Sequence, residues 1–233
     1  MDVALLTTDT AHHAYFAAKL AGRFTLSTIV VERRIVAPPF ETFHAFEAER
    51  DAYEQGSLLA GVERRLDAIA RVHVVETANH ALGHLREIAP DVILVFGTGK
   101  LAAETIAAGP VCLNLHGGNP EEYRGLDTHL WAIYHQDFGG LVTALHHVDA
   151  ELDTGDLVDV VPIPLERDMH LYELRSRNTE VCVDLACDAL DLIDTAGSAP
   201  RRPQARRGRY YSFMPAVLKD RCVRMFERHT ALL

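Results

Sequence analysis

A recurring alternation of short apolar or β-branched runs with helix-like patches constrains this chain more than any other feature. Val3 to Thr7 is an apolar run that enters a Thr/Asp turn, and residues 10–21 (TAHHAYFAAKLA) form a helix pattern closed by Gly22. Phe24 to Glu32 (FTLSTIVVE) and RVHVVET (71–77) read as strands, and ANHALGHLREIA (78–89) as a helix stopped by Pro90. DVILVFGTG (91–99) is a buried strand ending in a glycine loop, KLAAETIAAG (100–109) a short helix, and VCLNLHGG (111–118) a further strand running into glycines. Strands separated by helices pair in parallel, and apolar runs without alternation need cover on both faces. The pattern predicts an α/β fold with a doubly wound, mostly parallel sheet.

Residues 33–68 interrupt the rhythm. Pro38-Pro39 breaks the chain, and the polar, helix-prone stretch ETFHAFEAERDAYEQ ends at Gly56-Ser57, which predicts a helical insert on the surface or over a site. Residues 127–136 form a helix that Asp127 is placed to cap. LVTALHHVDA (141–150) and GDLVDVVPIPL (155–165) read as two more strands. A long helix runs from Asp168 to Gly197, with Leu171, Leu174, Val181, Leu185, Leu192 and Ile193 on its apolar side. The division expected is a main domain over 1–197, carrying the 33–68 insert, and a short C-terminal appendage over 198–233. Trp131 is expected to pack on its helix.

Composition limits the function. The chain has 233 residues, with 33 Asp and Glu against 23 Lys and Arg and a net charge of −10. An acidic balance disfavours nucleic acid, whose binding is dominated by phosphate contacts. No apolar run reaches the roughly 18–20 residues of a membrane span, so no membrane partner is expected. The first residues, MDVALLTTDTAHHAYF, lack a basic flank and a signal-type apolar stretch. Cys112, Cys182, Cys187 and Cys222 are too few and scattered for a disulfide framework. These points predict a cytoplasmic protein with reduced thiols.

The chemistry concentrates between residues 114 and 156. Asn114 and His116 are two apart on one strand, so they share a face at its carboxyl end, where ligands bind in open α/β sheets. Gly117 and Gly118 follow, and HHVDAELDTGD (146–156) places Asp153 in a turn after a later strand. An amide, an imidazole and a carboxylate at one site suit acyl transfer to an amine: the amide and a protonated His stabilise the oxyanion, and neutral His takes the amine's proton. No nucleophile elbow accompanies them. The other histidines, including His12-His13, His129, His135 and His146-His147, make no metal motif, and no metal is expected. His146 and His147 point to opposite sheet faces, so at most one of them faces the site.

Asn114-Leu115-His116-Gly117-Gly118, Pro120, Tyr123-Arg124-Gly125 and Leu152-Asp153-Thr154-Gly155-Asp156 together resemble the folate-dependent formyltransferases, with order and spacing in agreement. The resemblance implies a Rossmann-like sheet, a catalytic trio of Asn114, His116 and Asp153, and 10-formyltetrahydrofolate as co-substrate. It implies folate contacts from Phe96, Gly97, Thr98, Lys100 and Leu101 and from Val148, Asp149 and Glu151. Leu6-Thr7-Thr8-Asp9-Thr10 lacks the glycine-rich phosphate loop of the purine-pathway members, and little chain remains for a tRNA-type second domain. The stretch YRGLDTHLWAIYHQDF and the tail 208–215 are most similar to the sugar N-formyltransferases, which implies a nucleotide-linked amino sugar of the dTDP-4-amino-4,6-dideoxyhexose type as acceptor. Thr8, His12, Tyr123, Arg124, Arg209 and Tyr211 are the substrate-binding candidates. Tyr210, Tyr211 and Phe213 are placed to stack a base, and Arg201, Arg202, Arg206, Arg207 or Arg209 to meet a diphosphate. The alternatives are another small amine as acceptor, hydrolysis of the formyl-folate, and a non-catalytic folate-binding module. A homodimer through the Cys182 and Leu185 face of the long helix, or through the tail, stays open.

Overall fold

The computed structural model describes residues 1–34 and 37–233, so Ile35 and Val36 of the insert lie outside the described residues. Seven strands form one sheet: β1 (Asp2–Thr7), β2 (Thr25–Glu32), β3 (Val72–Val75), β4 (Val92–Phe96), β5 (Val111–Gly117), β7 (Val142–His147) and β8 (Leu157–Pro162). Their order is β3-β2-β1-β4-β5-β7-β8. The first five run parallel, and β7 and β8 join antiparallel to their neighbours. The short strands β6 (Tyr123–Gly125) and β9 (Arg209–Tyr211) pair in parallel as a second sheet.

All five residues of β4 are buried, because helices cover both faces. On one face, Leu5, Ile29, Leu94, Phe96, Leu113 and Leu115 pack under α1 (Ala11–Ala21) and α7 (Leu174–Ala196). On the other, Ala4, Leu6, Val30, Ile93, Val95 and Cys112 pack under Ala78, Ala81 and α4 (Leu82–Ile88), with α5 (Ala103–Ile106) beside it. Asn114 and His116 continue the alternation begun by Cys112 and share this second face. Cys182 and Leu185 are buried against the sheet. That face of the long helix is spent within the protomer and offers no dimer surface.

The insert carries α2 (Ala45–Tyr53), a π-type turn at Glu54–Leu58 and α3 (Leu66–Ile69). It is fastened by charge: Arg175 donates to both oxygens of the fully buried Glu54 at 2.6 Å. Residues 198–233 are woven into the structure. Arg202 and Leu157 exchange backbone hydrogen bonds of 2.8 and 2.9 Å, and β9 pairs with β6. Phe226 and Cys222 of α8 (Ala216–Thr230) pack with Ile133 of α6 (Thr128–Tyr134) in a third cluster. Lys219 is 2% exposed and donates to the Thr42 carbonyl and to Glu47, tying α8 to the insert. Trp131 packs on Tyr211 and donates to the Ser212 carbonyl at 2.8 Å. Asp127 begins α6, but its side chain does not cap it: the residue takes φ +50° and its carboxylate accepts from the Met214 N–H at 2.8 Å. A tertiary donor has displaced the local one.

Candidate active site

The strand order reverses direction between β1 and β4, and the crevice at a reversal point is where such sheets bind ligands. A cavity of about 360 Å³ opens beside the neighbouring β4 and β5 ends, lined by Asn114, His116, His146 and Asp153 together with the 97–101 loop. The trio anticipated from the sequence is therefore brought together. His116 Nε2 is 2.9 Å from the Tyr123 carbonyl, which only an N–H satisfies. In the neutral ring this leaves the Nδ1 lone pair facing Asp153, 3.7 Å from its Oδ1. Burial lowers the His116 pKa below its ordinary 6.5, against the opposing pull of Asp153 and the Tyr123 carbonyl. Burial would raise the Asp153 carboxyl, but the adjacent His116 and His146 rings and the Gly125 N–H at 2.9 Å hold it below the carboxylate range.

His146 was not singled out as a site residue, yet it orients Asn114. Its Nδ1 lies 2.8 Å from the His147 carbonyl and so carries the proton. Its Nε2 accepts from Asn114 Nδ2 at 3.0 Å. That chain of bonds points the Asn114 NH2 toward His146 and leaves its second hydrogen for the cavity. The signal in the sequence was the alternation of LVTALHHVDA. His147 faces away and lies 3.0 Å from the Pro200 carbonyl.

Asp153 sits at φ +55°, a left-handed conformation that Asp tolerates better than most residues. Its turn is held from three sides. Arg124 Nε donates to the Leu152 carbonyl at 3.1 Å, the Gly125 N–H meets the carboxylate, and Gln204 donates to the Asp153 and Gly155 carbonyls at 3.1 and 2.9 Å. Gly155 is required by crowding: a Cβ there would run into the His147 carbonyl.

The 97–101 loop is equally fixed. Buried Glu32 accepts from the Ala78 and Gly99 N–H groups at 2.7 and 3.0 Å. Asn79 donates to the Lys100 carbonyl at 3.0 Å and accepts from the Ala102 N–H at 2.7 Å. Two buried histidines stand behind the site glycines. A Cβ on Gly97 would lie 2.5 Å from His13, and one on Gly117 2.8 Å from His129. Burial depresses both rings, His13 to about 3 and His129 to about 4. Glu32, Asn79, His13 and His129 carry no motif, and only the fold reveals their part.

Of the folate candidates, Gly97, Thr98, Lys100, Leu101, Val148, Asp149 and Glu151 line the cavity, whereas Phe96 turns to the opposite face. The substrate candidates do not gather there. Tyr123 is buried, with its hydroxyl on Asp137 at 3.0 Å, and buried Arg124 serves the Leu152 turn. Tyr211 is stacked between Tyr123 and Trp131, and Arg209 lies over its ring. Tyr210, half exposed, lines the cavity instead. Thr8 borders a second cavity and His12 a third. Arg201, Arg202, Arg206 and Arg207 are paired with Asp156, Glu121, Glu122 and Glu151 respectively. Among the described residues no cluster of three or more His, Cys, Asp or Glu is arranged to hold a metal. All four cysteines are free and buried. No described helix is long and apolar enough to cross a membrane.

Comparison with known proteins places this site in context. The formyl transferase family matches the chain over residues 43–189. A methionyl-tRNA formyltransferase of Syntrophus aciditrophicus is 33% identical over 140 residues, which is 58% of this chain and 43% of that protein. The chain thus spans less than half the length of that relative. Among solved structures, a Mycobacterium tuberculosis protein assigned to the sugar N-formyltransferases superimposes with a TM-score of 0.62 at 19% identity, over 91% of this chain and 75% of that one. The formyltransferase PseJ from Anoxybacillus kamchatkensis, solved with UDP-4,6-dideoxy-4-formamido-L-AltNAc and tetrahydrofolate, superimposes at 0.54 and 15% identity, over 91% and 86%. At these identities the structural likeness establishes the fold.

Proposed function

This chain belongs to the formyl transferase family, and from that premise we propose that it moves a formyl group from 10-formyltetrahydrofolate to the amine of a small acceptor, a nucleotide-linked amino sugar of the dTDP-4-amino-4,6-dideoxyhexose type. The observation that carries the reading is the meeting of Asn114, His116 and Asp153 at one cavity, with His146 fixing the amide. The cavity suits a folate. Val95, Leu101 and Val148 give it apolar walls, and among the described residues the N–H groups of Lys100 and Leu101 have no partner within the chain. Flat heterocycles are recognised by such backbone edges between apolar walls.

When bound, the folate supplies an activated formyl carbon. The free hydrogen of Asn114 donates to the formyl oxygen as negative charge grows there. Neutral His116 would receive the proton that the attacking amine loses, and its imidazolium would add a charged donor beside that oxygen. As the bond from the formyl carbon to N10 of the folate breaks, the proton would pass from His116 to the departing nitrogen. Ionised Asp153 stabilises the imidazolium, while the Tyr123 carbonyl keeps the ring in its tautomer. The closed, hydrogen-bonded frame around Asp153 holds these groups in register.

The ligands named in the PseJ structure support a nucleotide-sugar acceptor. The names of the curated relatives favour methionyl-tRNA as a second reading, but a net charge of −10 opposes a polyphosphate partner of that size. The test is formyl transfer by Asn114→Ala and His116→Ala, assayed with formyl-folate against dTDP- and UDP-amino sugars, other small amines and methionyl-tRNA. Loss of one oxyanion donor costs about 10²–10³ in turnover, with melting unchanged. Full activity in either variant refutes the roles. Formate released without any amine identifies a hydrolase, and folate binding without turnover a binding module.

A further inference from the structure

We propose that the cavity beyond the carboxyl ends of β1, β2 and β3 is a nucleoside diphosphate site, with Arg33, Arg34 and Arg64 on the phosphates and Phe213 against the base. It rests on the reading that the acceptor carries phosphate. This cavity, about 870 Å³, is lined by these four side chains and by Arg65. That volume falls within the roughly 300–1,000 Å³ of small-molecule sites.

Its charge is uncommitted where the tail's is not. Arg33, Arg34 and Arg64 have no carboxylate within 4 Å among the described residues, and Arg64 donates only to the neutral Gln55. Of the five arginines first expected to meet a diphosphate, Arg201, Arg202, Arg206 and Arg207 are each held by an acid, and Arg209 lies over the Tyr211 ring. The acids that border the cavity are mostly engaged. Glu32 accepts from two backbone N–H groups, and Asp67 pairs with Arg65 at 3.1 Å. The backbone of the arginine pair is fixed as well, since the Arg33 and Arg34 N–H groups donate to the Val75 and Glu76 carbonyls at 2.9 and 3.0 Å. Guanidinium groups on a fixed backbone bind phosphate oxygens in a bidentate manner, and an aromatic ring offers a stacking face to a base. Arg34 lines both this cavity and the one that holds Asn114 and His116. A diphosphate held here therefore directs its sugar toward the formyl site.

Calorimetric titration without folate tests the site independently of catalysis. UDP, dTDP and inorganic pyrophosphate, and in separate runs monoglutamyl and polyglutamyl tetrahydrofolate, are titrated into the wild type, Arg33→Ala/Arg64→Ala, Phe213→Ala and the control Arg207→Ala. The arginine pair is expected to weaken all three ligands at least tenfold, and Phe213→Ala to weaken the nucleotides but not pyrophosphate. Arg207→Ala and the affinity for monoglutamyl folate should stay unchanged. No nucleotide binding by the wild type, or equal binding by the arginine variant, overturns the proposal. So does a variant that loses only polyglutamyl folate, which would assign the arginines to the folate tail. Formyl transfer that fails while nucleotide binding behaves as expected would refute the proposed function alone.

Discussion

Lowering the pH from 7 to 5 should destabilise this protein through the two histidines that prop its site glycines. His13 and His129 are depressed to about 3 and about 4 by burial. In the unfolded chain both return to an ordinary value near 6.5. Below that value the unfolded state binds protons that the folded state refuses, so stability falls with pH from 6.5 downward, until the folded values are reached. Each site costs about 1.4 kcal/mol per pH unit, and the span from 6.5 to 5 is about 1.5 units, giving about 2 kcal/mol each and about 4 together. That is a large share of a typical stability of about 5–15 kcal/mol. His12, His84, His116 and His147 are also depressed and act in the same direction. His170, raised by Glu227 on the surface, acts oppositely. The assay is urea unfolding at pH 7 and pH 5 for the wild type and for His13→Asn and His129→Asn. Each variant should lose about 2 kcal/mol of the pH dependence, whatever its stability at pH 7. Variants that keep the wild-type slope would show that neither ring is held neutral behind Gly97 and Gly117.

Three further outcomes follow from the site. Gly155→Ala should destabilise by about 1–3 kcal/mol as overpacking and depress turnover by displacing Asp153; unchanged melting and turnover would contradict the crowding seen at the His147 carbonyl. Asp153→Asn should lower turnover and shift the acid limb of its pH profile further down, because the carboxylate now raises His116; an upward shift would contradict that pairing. His146→Leu should cut turnover by about tenfold or more by freeing the Asn114 amide, with folate affinity largely kept; a loss confined to folate affinity would place His146 in binding rather than positioning.

Much of the fold was legible. The uninterrupted apolar run of β4 and the spacing of helices between strands imply parallel pairing, because such strands need two covers. Asn114 and His116 were legible because period-two geometry puts them on one face whatever the partner strand. Asp153 was legible as a turn residue and as part of the family resemblance, but its meeting with His116 needed the β5–β7 pairing. The substrate candidates fared differently because exposure is a property of the fold. Tyr123 and Arg124 sit beside the motif in sequence, yet packing turns them into its scaffold.

The arginines show the same division. From sequence alone, five arginines at 201–209 are the densest positive run, in a chain with net charge −10. In the folded chain Asp156, Glu121, Glu122 and Glu151 are brought against four of them. Arg33, Arg34 and Arg64 are separated in sequence and meet at one cavity because β2 and the end of the insert converge there. What the amino-acid sequence determined by itself are the quantities set by local geometry: strand and helix periodicity, the shared face of Asn114 and His116, and the turn at Asp153. Which histidine orients Asn114, which glycines are crowded and which positive charges stay open were decided only by tertiary structure. Those depend on contacts between residues far apart in the chain, and no local periodicity encodes them.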